Sequence, residues 1–164
     1  VAFLAAGKTA PLFTLNGSDG KRYSLAEALN KGPVLLAFFK VSCPVCQFTF
    51  PYVERLFERY GGGPLTIWGI SQDDARDTNE FRQEFEITFP ALIDTDRYEV
   101  SNDYRISNVP TLFLIDPSGK IALSETGFSK PDIENIAAQF AAICKTPPSV
   151  FFAPSEIVPN HKPG

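Results

Sequence analysis

Val34-Leu35-Leu36-Ala37-Phe38-Phe39, followed after Lys40-Val41-Ser42 by Cys43-Pro44-Val45-Cys46, decides how this chain reads. Six consecutive apolar residues make a strand-length run without alternation. Such a run suits a strand covered on both faces, as in a sheet lying between helices. Lys31-Gly32-Pro33 punctuates its start. The spacing of Phe48, Tyr52, Val53, Leu56 and Phe57 predicts a helix from Cys43 to about Tyr60. Pro51 lies inside that helix and is expected to kink it, and Gly61-Gly62-Gly63-Pro64 ends it.

Outward from this unit the pattern alternates. Leu12-Phe13-Thr14-Leu15 and Lys21-Arg22-Tyr23 read as a hairpin around Asn16-Gly17-Ser18-Asp19-Gly20. Ser24-Leu25-Ala26-Glu27 has the form of a capping box and opens a short helix to Asn30. Leu65 to Ile70 is a second buried strand, and Asp73 to Glu86 a polar helix. The acids of that helix outnumber its arginines six to two, an excess equal to the net charge of −4 for the whole chain. A solvated exterior explains such a charge run. Ala91-Leu92-Ile93 is a brief extended segment, and Arg97 to Tyr104 a short helix. Thr111 to Ile115 is a further strand, with Asp116-Pro117-Ser118-Gly119 turning into Lys120 to Leu123. Pro131 suits the first turn of a last helix with Ile133, Ile136, Ala137, Phe140 and Cys144 on one stripe. From Lys145 five prolines are expected to exclude regular structure, leaving a tail that wraps the surface or frays. The expected organisation is α/β layering in residues 1–144 with a Pro-rich tail over 145–164.

Composition bounds the function. With 164 residues, 44% hydrophobic and 21% charged, the chain is globular and long enough for one core. Its negative charge argues against a nucleic-acid binder. No run is long enough to span a membrane. Val1-Ala2-Phe3-Leu4-Ala5-Ala6 is too short for a signal peptide and lacks a basic region before it, so it reads as a short ordered arm. The expected compartment is therefore cytoplasmic, or periplasmic if a leader is removed from a longer precursor.

The chemistry lies in the cysteine pair. The first turn of a helix leaves N–H groups unpaired and carries partial positive charge. A thiolate held there is stabilised and reactive. Pro44 fits the first helical position, where a missing N–H costs nothing. Cys43 is then the exposed nucleophile, and Cys46, about one turn further in, the resolving thiol. The direction of electron flow depends on reduction potential, which for such pairs spreads over about 150 mV. A zinc site needs four ligands. Beyond the pair only Cys144 and His161 remain, one on an apolar stripe and the other in the tail. Val109-Pro110 precedes a strand. A cis bond there would turn the Val109 backbone outward to pair with an extended partner.

These residues together resemble the thioredoxin-like superfamily, and most closely its TlpA-like and redoxin (AhpC/TSA-related) branch of thiol-disulfide oxidoreductases. The resemblance covers about residues 8–143. It rests on Val34–Phe39, Cys43-Pro44-Val45-Cys46, Pro51, Val109-Pro110-Thr111-Leu112-Phe113-Leu114-Ile115-Asp116, and Trp68-Gly69-Ile70-Ser71-Gln72-Asp73. It implies a thioredoxin fold: a central mixed sheet flanked by helices, with an N-terminal hairpin extension. It further implies a cis Val109–Pro110 bond beside the cysteines, with Pro44, Val109 and Pro110 meeting the substrate. No cofactor or metal is implied. The expected partner is a protein disulfide or dithiol, or a small thiol, met by a monomer.

Departures from the family are equally specific. Ser42 and Pro44-Val45 stand where thioredoxins carry Trp and Gly-Pro. Ala37 and Thr49 stand where the usual proton acceptors for the resolving thiol lie, so no base is legible. Lys40 reads as a surface lysine. The alternatives are a peroxiredoxin-like thiol peroxidase and a non-catalytic binding module. The peroxidatic Pro-x-x-x-Thr/Ser-x-x-Cys register fails: it falls on Leu36 and Lys40 for Cys43, and on Phe39 and Cys43 for Cys46. Cys144 reads as a buried small hydrophobe, His161 as a bystander without partner, Trp68 as core, and Asp94 and Asp96 as turn formers.

Overall fold

The computed structural model describes residues 3–164; Val1 and Ala2 of the expected N-terminal arm lie outside the described residues. Five strands form the central sheet: β3 (Val34–Phe39), β4 (Thr66–Ser71), β5 (Ala91–Ile93), β6 (Thr111–Ile115) and β7 (Ile121–Thr126). Their order is β5-β4-β3-β6-β7, with β3 parallel to β4 and antiparallel to β6. The sheet is therefore mixed, as the family resemblance implies. A separate hairpin pairs β1 (Thr14–Asn16) with β2 (Arg22–Ser24).

Every residue of β3 is buried. Because side chains alternate along a strand, the two faces of β3 feed two cores. Leu35, Ala37 and Phe39 join α2 (Pro44–Tyr60) and α5 (Lys130–Ile143), with Phe81 of α3 (Ala75–Glu84). Val34, Leu36 and Phe38 join α1 (Leu25–Leu29), Trp68, Tyr104 and Phe113, with Val100 of α4 (Glu99–Asp103). The N-terminal arm joins this second core: Phe3 meets Phe113 edge-on at 6.2 Å, and the Leu4 N–H donates to the Tyr104 carbonyl.

Local chemistry sets the helix starts. Ser24 Oγ accepts from Glu27 N, Asp74 from Asp77 N and Ser129 Oγ from Asp132 N. The acids of α3 face solvent. Helix α2 runs unbroken through Pro51. Its buried positions are Cys46, Thr49, Phe50, Val53, Glu54, Leu56 and Tyr60. Phe48, Tyr52 and Phe57 are only half-buried, so the stripe read from sequence merges two faces. One packs on the sheet, and the other meets the tail.

Four expectations need correction. The five prolines do not exclude regular structure from the tail. His161–Lys162 forms β9, pairing with β8 (Phe128–Ser129), because both residues lie between Pro159 and Pro163 and keep their N–H groups. His161 is therefore paired through its backbone rather than left without a partner. Cys144 is half-buried at the C-cap of α5, where the stripe runs out, and its thiol meets the Tyr60 carbonyl at 3.8 Å. Asp94 is more than a turn former. It is 2% exposed and accepts from Val100 N, Ser101 N and Ser101 Oγ, fixing α4.

Candidate active site

The site forms where β3 ends and α2 begins. Cys43 is the N-cap of α2, with extended φ and ψ of −83° and 116°. Its Sγ accepts the Cys46 N–H at 3.1 Å, taking up one of the helix's orphan donors. The front sulfur therefore sits at the open end of the helix, against its first turn. Pro44 occupies the first turn and is exposed. The Cys43 carbonyl accepts the Gln47 N–H at 3.0 Å, and Gln47 Nε2 donates to the Val41 carbonyl at 2.9 Å, tying the loop to the helix.

All three cysteines are free thiols. Cys43 is half-buried, whereas Cys46 is fully enclosed. Burial pushes the Cys46 thiol far above its ordinary range. The hydrogen bond to Cys43 acts in the same direction, and a backbone hydrogen bond at Lys40 opposes it without cancelling it. The front sulfur is thus accessible, and the rear one is held protonated beside it.

The Val109–Pro110 bond is cis, and Pro110 is buried at the entry to β6. The Val109 carbonyl accepts from the Cys43 thiol at 3.5 Å. Thr111 Oγ1 donates to the Asn108 carbonyl at 2.7 Å and braces this loop. The structure therefore brings Cys43, Pro44, Cys46, Val109 and Pro110 to one end of the sheet. Lys40 is exposed, and Trp68 is buried on the opposite core against Tyr23 and Phe13. Thr49 is buried and donates to the Val45 carbonyl at 2.6 Å, and a neutral hydroxyl is no base for the Cys46 thiol.

Sequence reasoning missed Asp73. Its Oδ2 accepts the Val41 N–H at 2.8 Å, two residues before Cys43. Ser71 Oγ accepts the Asp73 N–H at 3.1 Å and meets Thr78 Oγ1 at 2.6 Å, which fixes the turn. Asp73 was visible as one acid among several on a polar helix and as the end of the Trp68–Asp73 segment that resembles the family, but with no role attached to it. The available signal was its place just past β4, the parallel neighbour of β3, since parallel strands converge their chemistry at their C-terminal ends.

The family model described as AhpC/TSA matches residues 6–124, well over half of the chain. The chain belongs to the AhpC/TSA family. Among curated relatives, thiol-disulfide oxidoreductase ResA of Bacillus subtilis (strain 168) is 32% identical over 125 residues, covering 76% of this chain and 69% of that protein. The ResA of Geobacillus thermodenitrificans is 33% identical over 133 residues, covering 80% and 75%. Among solved structures, a putative thiol:disulfide interchange protein DsbE from Chlorobium tepidum matches with a TM-score of 0.74 at 27% identity, covering 85% of this chain and 97% of that one. A putative protein disulfide isomerase from Bacteroides thetaiotaomicron shares the fold, with a TM-score of 0.80 at 23% identity over 88% and 94% of the two chains. The AhpC/TSA match ends before β8, α5 and the tail.

Proposed function

We propose that this thiol-disulfide oxidoreductase works through Cys43 as nucleophile and Cys46 as resolving thiol. The observation that carries the assignment is the 3.1 Å hydrogen bond from Cys46 N to Cys43 Sγ, with the acceptor half-exposed and Cys46 enclosed behind it. The Cys43 thiolate attacks one sulfur of a partner disulfide and displaces the other as a thiolate. A mixed disulfide joins Cys43 to the partner. Cys46 then loses its proton and attacks Cys43 Sγ, releasing the second partner thiolate. The partner gains two electrons and two protons, and Cys43–Cys46 becomes the disulfide. The reverse sequence oxidises a dithiol.

The Cys46 proton needs an acceptor, because burial holds that thiol neutral. Asp73 is our assignment, since its carboxylate is held against the active-site loop by the Val41 N–H and its backbone is fixed by Ser71. Partner thiols and disulfides dock along the Val109 backbone, with Pro44 and Pro110 shaping the entrance. One chain carries both sulfurs, so a monomer suffices.

A Cys46→Ser variant tests this reading. It should accumulate a mixed disulfide through Cys43, and Cys43→Ser should accumulate none. The absence of any adduct with a reactive disulfide would leave a non-catalytic module. A reaction of the reduced protein with hydrogen peroxide orders of magnitude faster than that of an ordinary thiol would instead favour the peroxidase, for which neither cysteine register has the residues.

A further inference from the structure

The tail does more than cover the surface. Its first part is an anchor on the outer face of α2. Phe151 and Phe152 are buried at 4% and 5% exposure, and Phe152 packs on Tyr52 at 5.1 Å. Arg55 grips Glu156 through two hydrogen bonds of 3.0 and 2.9 Å and donates to the Phe151 carbonyl at 2.8 Å. Arg59 donates to the Val150 carbonyl at 3.1 Å.

Beyond the anchor the chain reaches the active-site end of the sheet. Lys130 N donates to the Asn160 carbonyl at 2.9 Å, and β9 pairs Lys162 with Phe128 and His161 with Ser129. Lys162 Nζ lies 4.9 Å from the centre of the Phe48 ring, five residues along α2 from Cys43. Asn108 Nδ2 donates to the Gly164 carbonyl at 3.2 Å. A Cβ on Gly164 would fall 2.8 Å from the Val109 carbonyl oxygen, closer than side chains pack. A Cβ on Gly127, which has a φ of +76°, would collide with the Lys162 carbonyl oxygen. Residues 161–164 therefore lie in a trough between Asn108–Val109 and Thr126–Ser129. The carbonyl beside Gly164 is the same one that accepts from the Cys43 thiol.

We propose that residues 161–164 are an intramolecular strap that occupies the seat of an incoming extended polypeptide beside Cys43. Exchange with protein disulfides then requires the strap to lift, whereas exchange with small disulfides does not. This rests on the assignment of Cys43 as nucleophile. The seat suits an extended main chain because its present occupant is one, paired strand to strand with β8. The strap's short tip makes two ladder pairs, while the anchor buries two aromatic rings, so the tip can leave with the anchor in place. A segment tethered so closely competes at an effective concentration of the order of mM. A strap closed about ten times as often as it is open lowers the apparent affinity of a polypeptide about tenfold.

Two variants test the strap. One ends at Val158 and keeps Glu156 and both anchor phenylalanines; the other, Gly164→Val, keeps the whole chain and expels the tip by its added side chain. Second-order rates of the reduced proteins are measured with a disulfide-linked extended peptide and with hydroxyethyl disulfide. The peptide rate should rise about tenfold in both variants, and the small-disulfide rate should change less than twofold. An unchanged or lower peptide rate overturns the proposal and makes the tail a wall of the groove. Equal rises for both substrates also overturn it, since the tail then acts on the thiol rather than on the seat. If the shortened chain unfolds, Gly164→Val decides alone. A parent protein inert toward hydroxyethyl disulfide would refute the exchange reading itself, a distinct outcome.

Discussion

The Cys46 backbone N–H points at the Cys43 sulfur from 3.1 Å, so one residue both holds the nucleophile's sulfur and supplies the thiol that later displaces it. The two thiols are nonetheless unequal in access. Cys43 is half-buried and Cys46 is fully enclosed.

Alkylation should follow that inequality. In the folded, reduced protein iodoacetamide should label Cys43 first, with Cys46 silent until the protein is denatured. Peptide mass spectrometry of briefly quenched samples reads the order. Labelling of Cys46 at a rate matching Cys43 would contradict the enclosed geometry.

The stability of the reduced protein should fall at alkaline pH. Burial raises the Cys46 thiol in the folded state above its unfolded value of about 8.5. Below that value both states hold the proton and stability is intact. Above it the unfolded chain releases the proton and the folded chain does not, so unfolding gains. Melting temperatures of the reduced protein at pH 7 and pH 10 measure the loss. A Cys46→Ala variant should lose less over the same interval.

Asp73→Asn should separate the two chemical steps. Attack by Cys43 on a disulfide should stay within about threefold, while resolution by Cys46 slows at least a hundredfold, the lower end of the range for a lost general base. Rapid-mixing assays would show the mixed disulfide accumulating, and rising pH should restore the rate as hydroxide replaces the carboxylate. Resolution at the parent rate would remove Asp73 from the mechanism.

Glu54 is a structural carboxylate within the same helix. It is 4% exposed and accepts from Thr88 N, Thr88 Oγ1 and Phe89 N. Glu54→Ala strands those donors and should cost about 3 kcal/mol in urea unfolding, while the folded fraction keeps its exchange rate. Glu54→Gln, which retains an acceptor, should cost less.

What sequence revealed depended on how local the cause was. Strands β3 and β6 have the bounds read from their apolar runs, because a run buried on both faces has no competing period. Helix α2 starts and stops as read, since Cys43-Pro44 and Gly61 are themselves the boundary chemistry. The cysteine pair was legible for the same reason. The first strand of the hairpin moved from Leu12–Leu15 to Thr14–Asn16, because only the partner strand fixes its register, and Leu12 stays 63% exposed. Asp73 stands thirty residues from Cys43 and meets the loop only through the pairing of two parallel strands. Proline content hid the tail, where the burial of Phe151 and Phe152 outweighs composition.

The path of residues 161–164 also bears on how the molecule can be handled. A label attached at Gly164, whether a dye or a spin probe, begins at the Val109 carbonyl that meets the reacting sulfur. A label fused there enters the workplace of the molecule, whereas one carried in the exposed Gly62-Gly63 loop stays outside it.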